Sequence, residues 1–204
     1  MARHVTLIGM MGAGKTSVAP LLASRLNRPV IEVDALIEKN EGMPIGEIFI
    51  AKGEAYFRRA ECAMIAELIK QPPAVLSLGG GAFMWESTRQ LLLKETVVVY
   101  LSATVDILAS RLQASTNARP LLSVPGADLT TLVRDLLERR GGYYGLAHYR
   151  VETDRSSPDD VARAIVTLRQ AYDGPADGSK AEISDAISDT AKDDQADGGH
   201  ATGP

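Results

Sequence analysis

The chain is expected to be an α/β protein, a three-layer α/β/α fold on a central five-stranded parallel sheet. Three observations lead there. Short β-branched and apolar runs alternate with longer stretches whose apolar residues recur at helical spacing. Most of these runs are nearly continuous in apolar residues, as strands covered on both faces must be. The first of them, Val5-Thr6-Leu7-Ile8, opens directly into a glycine-rich turn followed by a helical pattern.

That turn, Gly9-Met10-Met11-Gly12-Ala13-Gly14-Lys15-Thr16-Ser17, follows the pattern Gly-x4-Gly-Lys-Thr of a phosphate-binding P-loop. Phosphate oxygens must approach backbone N–H groups closely, and side chains at Gly9, Gly12 and Gly14 would block them. The following helix points its positive N-terminal end at the same anion. Lys15 can reach the β- and γ-phosphates, and the Thr16 hydroxyl can ligate Mg²⁺. Gly12, Ala13, Gly14, Lys15, Thr16 and Ser17 are therefore the expected ATP-binding set. The helix runs to Leu26, with Pro20 placed in about its first turn, where a missing N–H matters little.

The remaining elements follow in order. Pro29–Val33 is a second strand ending at Asp34, and helical spacing resumes over Ala35–Lys39 until Gly42 and Pro44 interrupt it. Ile45–Ile50 and Glu54–Lys70 are two further helices, the second with Tyr56, Phe57, Ala60, Met64, Ile65 and Leu68 on one broad apolar face. Ala74–Leu78 is a third strand, delivered into Gly79-Gly80-Gly81. A helix over Thr88–Leu93 leads to a fourth strand, Thr96–Leu101, and then to a helix over Val105–Leu112. Gln113 to Asp128 lacks steady periodicity and contains Arg119-Pro120, Pro125 and Gly126; so long a loop in a compact domain is usually functional. Leu129–Arg140 is a helix stopped by Gly141-Gly142. His148–Thr153 is the last strand, and Pro158 opens a helix to about Tyr172.

Composition narrows the function classes. With 204 residues and 45% hydrophobic content, one domain is the default. No apolar run approaches the roughly 18 residues of a membrane span, and the first strand begins too early to leave room for a signal peptide. The single cysteine, Cys62, excludes an internal disulfide and any multi-cysteine metal site, and its helical pattern makes it a packed core thiol. A cytoplasmic location is the expectation. From Asp173 onward eight acidic residues face two lysines, a balance of −6 within a total of −4, so the preceding residues carry +2. The expected division is a domain over 1–172 and a disordered acidic tail over 173–204. The body's mild positive charge suits a small anionic substrate and is too weak and dispersed to argue for nucleic acid.

Phosphate binding alone leaves the acceptor open. Asp34, Phe57-Arg58-Arg59-Ala60-Glu61, Gly79-Gly80-Gly81-Ala82 and Arg119-Pro120-Leu121-Leu122, in that order, resemble the shikimate kinase family of small P-loop kinases; Arg139 followed by Tyr143 and Ala147 is a looser match. The resemblance covers residues 1 to about 172. It implies the P-loop NTPase fold and ATP-dependent phosphorylation of the 3-hydroxyl of shikimate, with Mg²⁺, in a monomeric enzyme. By the same resemblance Asp34 accepts the hydroxyl proton, Arg58 and Arg139 clamp the carboxylate, and Gly79, Gly80 and Gly81 line the ring. The segment at about 113–128 is a mobile lid carrying Arg119 to the phosphates, and Arg155 approaches adenine. The pairing of a carboxylate with planar guanidinium groups is chemically apt.

Two departures from the family pattern stand out. Glu32 occupies the place of the usual first aspartate, implying a water-mediated contact to Mg²⁺ through a longer arm. Gly141-Gly142 replaces a proline before the tyrosine, leaving Arg139 or Arg140 as the clamp; spacing to Tyr143 and Ala147 favours Arg139. Taken singly, Asp34 could be a helix N-cap, Arg58 an i,i+3 partner of Glu61, and Arg139 a dipole-favoured helix-end charge. A gluconate or nucleoside monophosphate kinase, or a nucleotide-binding regulatory module, are the rival readings.

Overall fold

The computed structural model describes residues 3–114, 128–172 and 181–182. Its centre is a parallel sheet in the order β2-β3-β1-β4-β5, formed by β1 (His4–Ile8), β2 (Val30–Glu32), β3 (Val75–Ser77), β4 (Thr96–Ser102) and β5 (Tyr149–Glu152). Val5 is in register with both Val75 and Val97, and Ile8 with Tyr100. Every residue of β1, β3 and β4 is buried, so both sheet faces are covered and the three-layer expectation holds. A two-residue strand, β6 (Ala181–Glu182), pairs with Tyr149 and Arg150 inside the stretch expected to be a disordered tail. It meets the otherwise open edge of β5, where main-chain groups lack a neighbour. The rest of the tail from 173 onward lies outside the described residues.

Eight α-helices connect the strands among the described residues: α1 (Lys15–Leu26), α2 (Val33–Glu41), α3 (Ile45–Lys52), α4 (Glu54–Ile69), α5 (Glu86–Glu95), α6 (Val105–Gln113), α7 (Leu129–Tyr144) and α8 (Pro158–Tyr172). α1 packs on α8, α2 and α3 on α4, and α6 on α7. Residues 115–127, the greater part of the expected lid and with it Arg119, lie outside the described residues.

Several expectations are displaced. α1 starts at Lys15, so Pro20 stands in its second turn and the hydrogen bond to the Thr16 carbonyl is missing. Val33 and Asp34 belong to α2, whose first turn takes over directly from β2, with no side-chain cap at Glu32. Cys62 is half-buried rather than packed in the core. A short 3₁₀ turn, Ala82–Met84, follows the three glycines.

α7 does not stop at Gly141-Gly142; it continues to Tyr144, and the Gly145 N–H donates to the Gly141 carbonyl at 3.0 Å. Two helical glycines cost about 1 kcal/mol each against alanine. Burial of Tyr144 outweighs them: it is 1% exposed and stacks on Tyr100 with ring centroids 4.9 Å apart.

Candidate active site

Parallel strands deliver their connecting loops to one end of the sheet, and a crevice forms outside their carboxyl ends. Each chemically marked segment begins there. The P-loop follows β1, Asp34 follows β2, Gly79-Gly80-Gly81 follow β3, and Thr153 follows β5. A cleft of about 600 Å³ is lined by Gly12 to Val18, Glu32, Asp34, Ser77, Gly79, Arg111 and Thr153, with Ser156 and Pro158 at its margin.

Along the P-loop Gly12 and Gly14 take φ of +83° and +94°, a region costly for any residue with a side chain, and Gly14 caps α1 in that conformation. The first turn of α1 therefore faces the cleft with its N–H groups unused by a side-chain cap. Lys15 Nζ donates to the carbonyls of Gly9 at 2.7 Å and Met10 at 3.1 Å, which arches it back over the loop. Thr16 and Ser17 are exposed on the cleft wall. Arg111, reaching across from α6, donates to the Gly12 carbonyl at 3.3 Å and to the Thr153 carbonyl at 2.6 Å.

The opposite side is organised by the three glycines, each covered by one charged side chain. A Cβ built on Gly79 would lie 2.6 Å from Asp34 Oδ2. One on Gly80 would lie 3.0 Å from Arg140 Nη1, and one on Gly81 would collide with the Arg58 guanidinium. No side chain fits at these places without displacing a carboxylate or a guanidinium. Asp34 Oδ1 is buried without a hydrogen-bond partner among the described residues. Burial pushes the Asp34 carboxyl above its ordinary range, opposed by the nearby charges of Lys15 and Arg58. Such a group is suited to taking up a proton.

Arg58 is itself nearly enclosed. Its Nη1 donates to Glu61 Oε2 at 2.8 Å and its Nη2 to Glu54 Oε1 at 3.2 Å, and its Cζ lies 5.0 Å from the Phe57 ring centroid. Glu61 is fully buried, and burial, only partly offset by Arg58, pushes its carboxyl up to about 7. The i,i+3 ion pair and a place over Gly81 thus coexist at Arg58, which does not itself line the 600 Å³ cleft.

Of the two adjacent arginines, the one that lies over the glycines is Arg140, not the Arg139 that spacing favoured. Arg139 is exposed on α7, whereas Arg140 reaches Gly80 and has Nη1 3.8 Å from Met10 Sδ. The cause is the continued helix. Tyr144, not Tyr143, is the buried tyrosine, and four residues before it on the same face stands Arg140. Tyr143 is 42% exposed, with Arg89 over its ring at 5.1 Å. Arg155 is exposed and does not line the cleft, although Ser156 and Pro158 beside it do. Sequence reasoning also missed the contribution of Thr153 and Ser77, for which a loop position and a strand end gave no signal.

The donor set suits a magnesium ion carried by phosphates. The Thr16 hydroxyl and Glu32 carboxylate both line the cleft. Among the described residues no group of three or more His, Cys, Asp or Glu forms a dedicated cage. Mg²⁺ keeps several waters and takes only one or two protein oxygens beside phosphate, so this sparse set fits it.

Comparison with known proteins gives a consistent result. The family model described as Shikimate kinase matches residues 11–169. A shikimate kinase of Zymomonas mobilis is 42% identical over 164 residues, covering 80% of this chain and 92% of that protein. A solved shikimate kinase from Acinetobacter baumannii, in complex with shikimate, superposes with a TM-score of 0.76 at 36% identity, covering 84% of this chain and 95% of that one. A gluconokinase from Sinorhizobium meliloti shares the fold at a TM-score of 0.52 and 20% identity.

Proposed function

The chain belongs to the shikimate kinase family, and from that premise we propose how this cleft transfers the γ-phosphoryl group of ATP to the 3-hydroxyl of shikimate. The enzyme is a kinase of shikimate, with ATP as co-substrate, in the pathway to chorismate. The observation that carries the acceptor assignment is the triple pairing at the glycines: Asp34 over Gly79, Arg140 over Gly80 and Arg58 over Gly81. A small ring bearing one carboxylate and several hydroxyls matches two guanidinium groups and one carboxylate set on a side-chain-free floor.

In the proposed reaction the P-loop amides and Lys15 hold the β- and γ-phosphates, Lys15 exchanging its bonds to Gly9 and Met10 for phosphate oxygens. Arg58 and Arg140 fix the acceptor's carboxylate, and Asp34 orients the hydroxyl and accepts its proton. Phosphoryl transfer has a loose transition state, so positioning and charge stabilisation outweigh base strength. Thr16 directly and Glu32 through water would hold Mg²⁺, which when bound neutralises charge on the β- and γ-phosphates. Arg111, Thr153, Ser156 and Pro158 border the far end of the cleft, the side assigned to the nucleoside. Arg119 is assigned from the family pattern alone to closure over the phosphates. We place the enzyme in the cytoplasm as a monomer. No described helix is long and apolar enough to cross a membrane.

ADP release by the purified chain, measured with Mg²⁺-ATP against shikimate, gluconate and AMP, tests the reading. Turnover with shikimate alone is the expected result, with phosphorus–proton NMR of the product locating the phosphate on the 3-oxygen. Preference for gluconate or AMP would overturn the acceptor assignment, and ADP release with none of the three would leave only a nucleotide-binding module.

A further inference from the structure

We infer that Tyr144 is a positioning residue for the acceptor, holding the Gly80–Gly81 peptide in one orientation beneath the substrate. Its Oη donates to the Gly80 carbonyl at 2.6 Å, joining the end of α7 to a turn 64 residues away. The ring is 1% exposed and stacks on Tyr100, which is in register with Ile8, the residue just before the P-loop. Burial pushes the phenol up to about 12, so it remains a donor across the working pH range. Tyr144 therefore ties three things together: the strand pair under the P-loop, the glycine turn and the helix that carries Arg140.

The peptide plane explains why that bond matters. The described chain has no cis peptide bonds, so the carbonyl of Gly80 and the N–H of Gly81 lie in one rigid plane and point in opposite directions. Holding the carbonyl toward Tyr144 aims the Gly81 N–H away from it. Consecutive glycines have the least intrinsic resistance to a peptide flip, because no Cβ restricts either neighbour. What side chains would ordinarily restrict is here restricted by one hydroxyl. Without it the N–H direction and the floor under Arg140 are both free to vary, while the nucleotide side, held by the P-loop's own backbone, is unaffected.

The inference rests on the shikimate reading, and the test separates the two. The Tyr144→Phe variant keeps the ring and its stacking and removes the hydroxyl, which is both the donor to Gly80 and a hydrogen-bond partner of Arg140. The expected result is a rise of about tenfold in the KM for shikimate, the usual worth of one hydrogen bond, with the KM for ATP within about twofold of the parent. A purely structural role would move both constants together or neither, and either outcome overturns the proposal. As a second readout, amide relaxation dispersion at Gly80 and Gly81 should be quiet in the parent and show exchange in the variant. Unchanged relaxation would also count against it. A parent enzyme inactive on shikimate would refute the substrate reading instead.

Discussion

Replacing Glu61 with Gln probes how Arg58, the proposed carboxylate clamp, is held. The Glu61 carboxyl is fully buried, accepts one hydrogen bond from Arg58 at 2.8 Å, and has its other oxygen unpartnered among the described residues. Its folded-state value of about 7 lies above the ordinary 4.5. Between those two values the native protein retains a proton that the unfolded chain releases, so the group's contribution is fully present below pH 4.5 and lost as pH rises through about 7. At 1.36 kcal/mol per pH unit, the difference amounts to about 3 kcal/mol. Gln has the same shape and does not titrate. Urea unfolding of both proteins at intervals from pH 4.5 to 8 should show the parent's stability, relative to Glu61→Gln, falling by about 3 kcal/mol across the window. With a slope of about 2 kcal/mol per M, that is a relative midpoint shift of about 1.5 M. A difference independent of pH, or one growing with pH, would mean that Glu61 is ionised throughout and that burial does not dominate its environment.

Three further results are expected. Arg140→Ala should raise the KM for shikimate about tenfold to a hundredfold while Arg139→Ala leaves it within twofold; steady-state kinetics of the pair decide which arginine serves the site. Gly79→Ala should keep the fold, checked by circular dichroism, yet cut kcat at least about tenfold, because the new methyl group would stand 2.6 Å from Asp34 Oδ2; parent-like turnover would mean that Asp34 does not need its present position. His4 and His148 accept main-chain N–H groups of Ala74 and Val98 at Nδ1, and burial lowers both below 6.5. Their contribution is fully present above pH 6.5 and lost as pH falls, opposite in sign to Glu61. His4→Gln should therefore flatten the acid side of the stability profile in urea titrations, and an unchanged slope there would contradict the neutral assignment.

Much of the architecture was legible because it rests on local signals of long range. Continuous β-branched runs, such as Thr96 to Leu101, can bury both faces only in the middle of a sheet, and the observed β4 is wholly buried. The P-loop was legible for a stronger reason: its glycines, lysine and threonine are dictated by phosphate geometry rather than by packing, so the pattern survives without structural context. Boundaries fared less well where one element passes directly into another. Asp34 belongs to the first turn of α2 instead of a strand end because no turn residue separates β2 from that helix. The Ala181–Glu182 pairing had no sequence signal, since what draws it is the open edge of β5.

The arginine assignment shows what spacing alone leaves undecided. Arg139 and Arg140 are adjacent, and each has a tyrosine four residues on. Choosing between them amounts to choosing which tyrosine is buried, and that depends on whether α7 survives two glycines. Helix propensity says it should end, at a cost of about 1 kcal/mol per glycine if it does not. Propensity, however, counts only local terms. Burial of one aromatic side chain contributes about 2 to 3 kcal/mol, and the hydroxyl bond to Gly80 adds about 1 more. These gains exceed the glycine cost, so the helix continues, Tyr144 turns inward, and Arg140 is carried over the glycine floor. The position of the proposed clamp residue is here decided by a packing contact across the molecule.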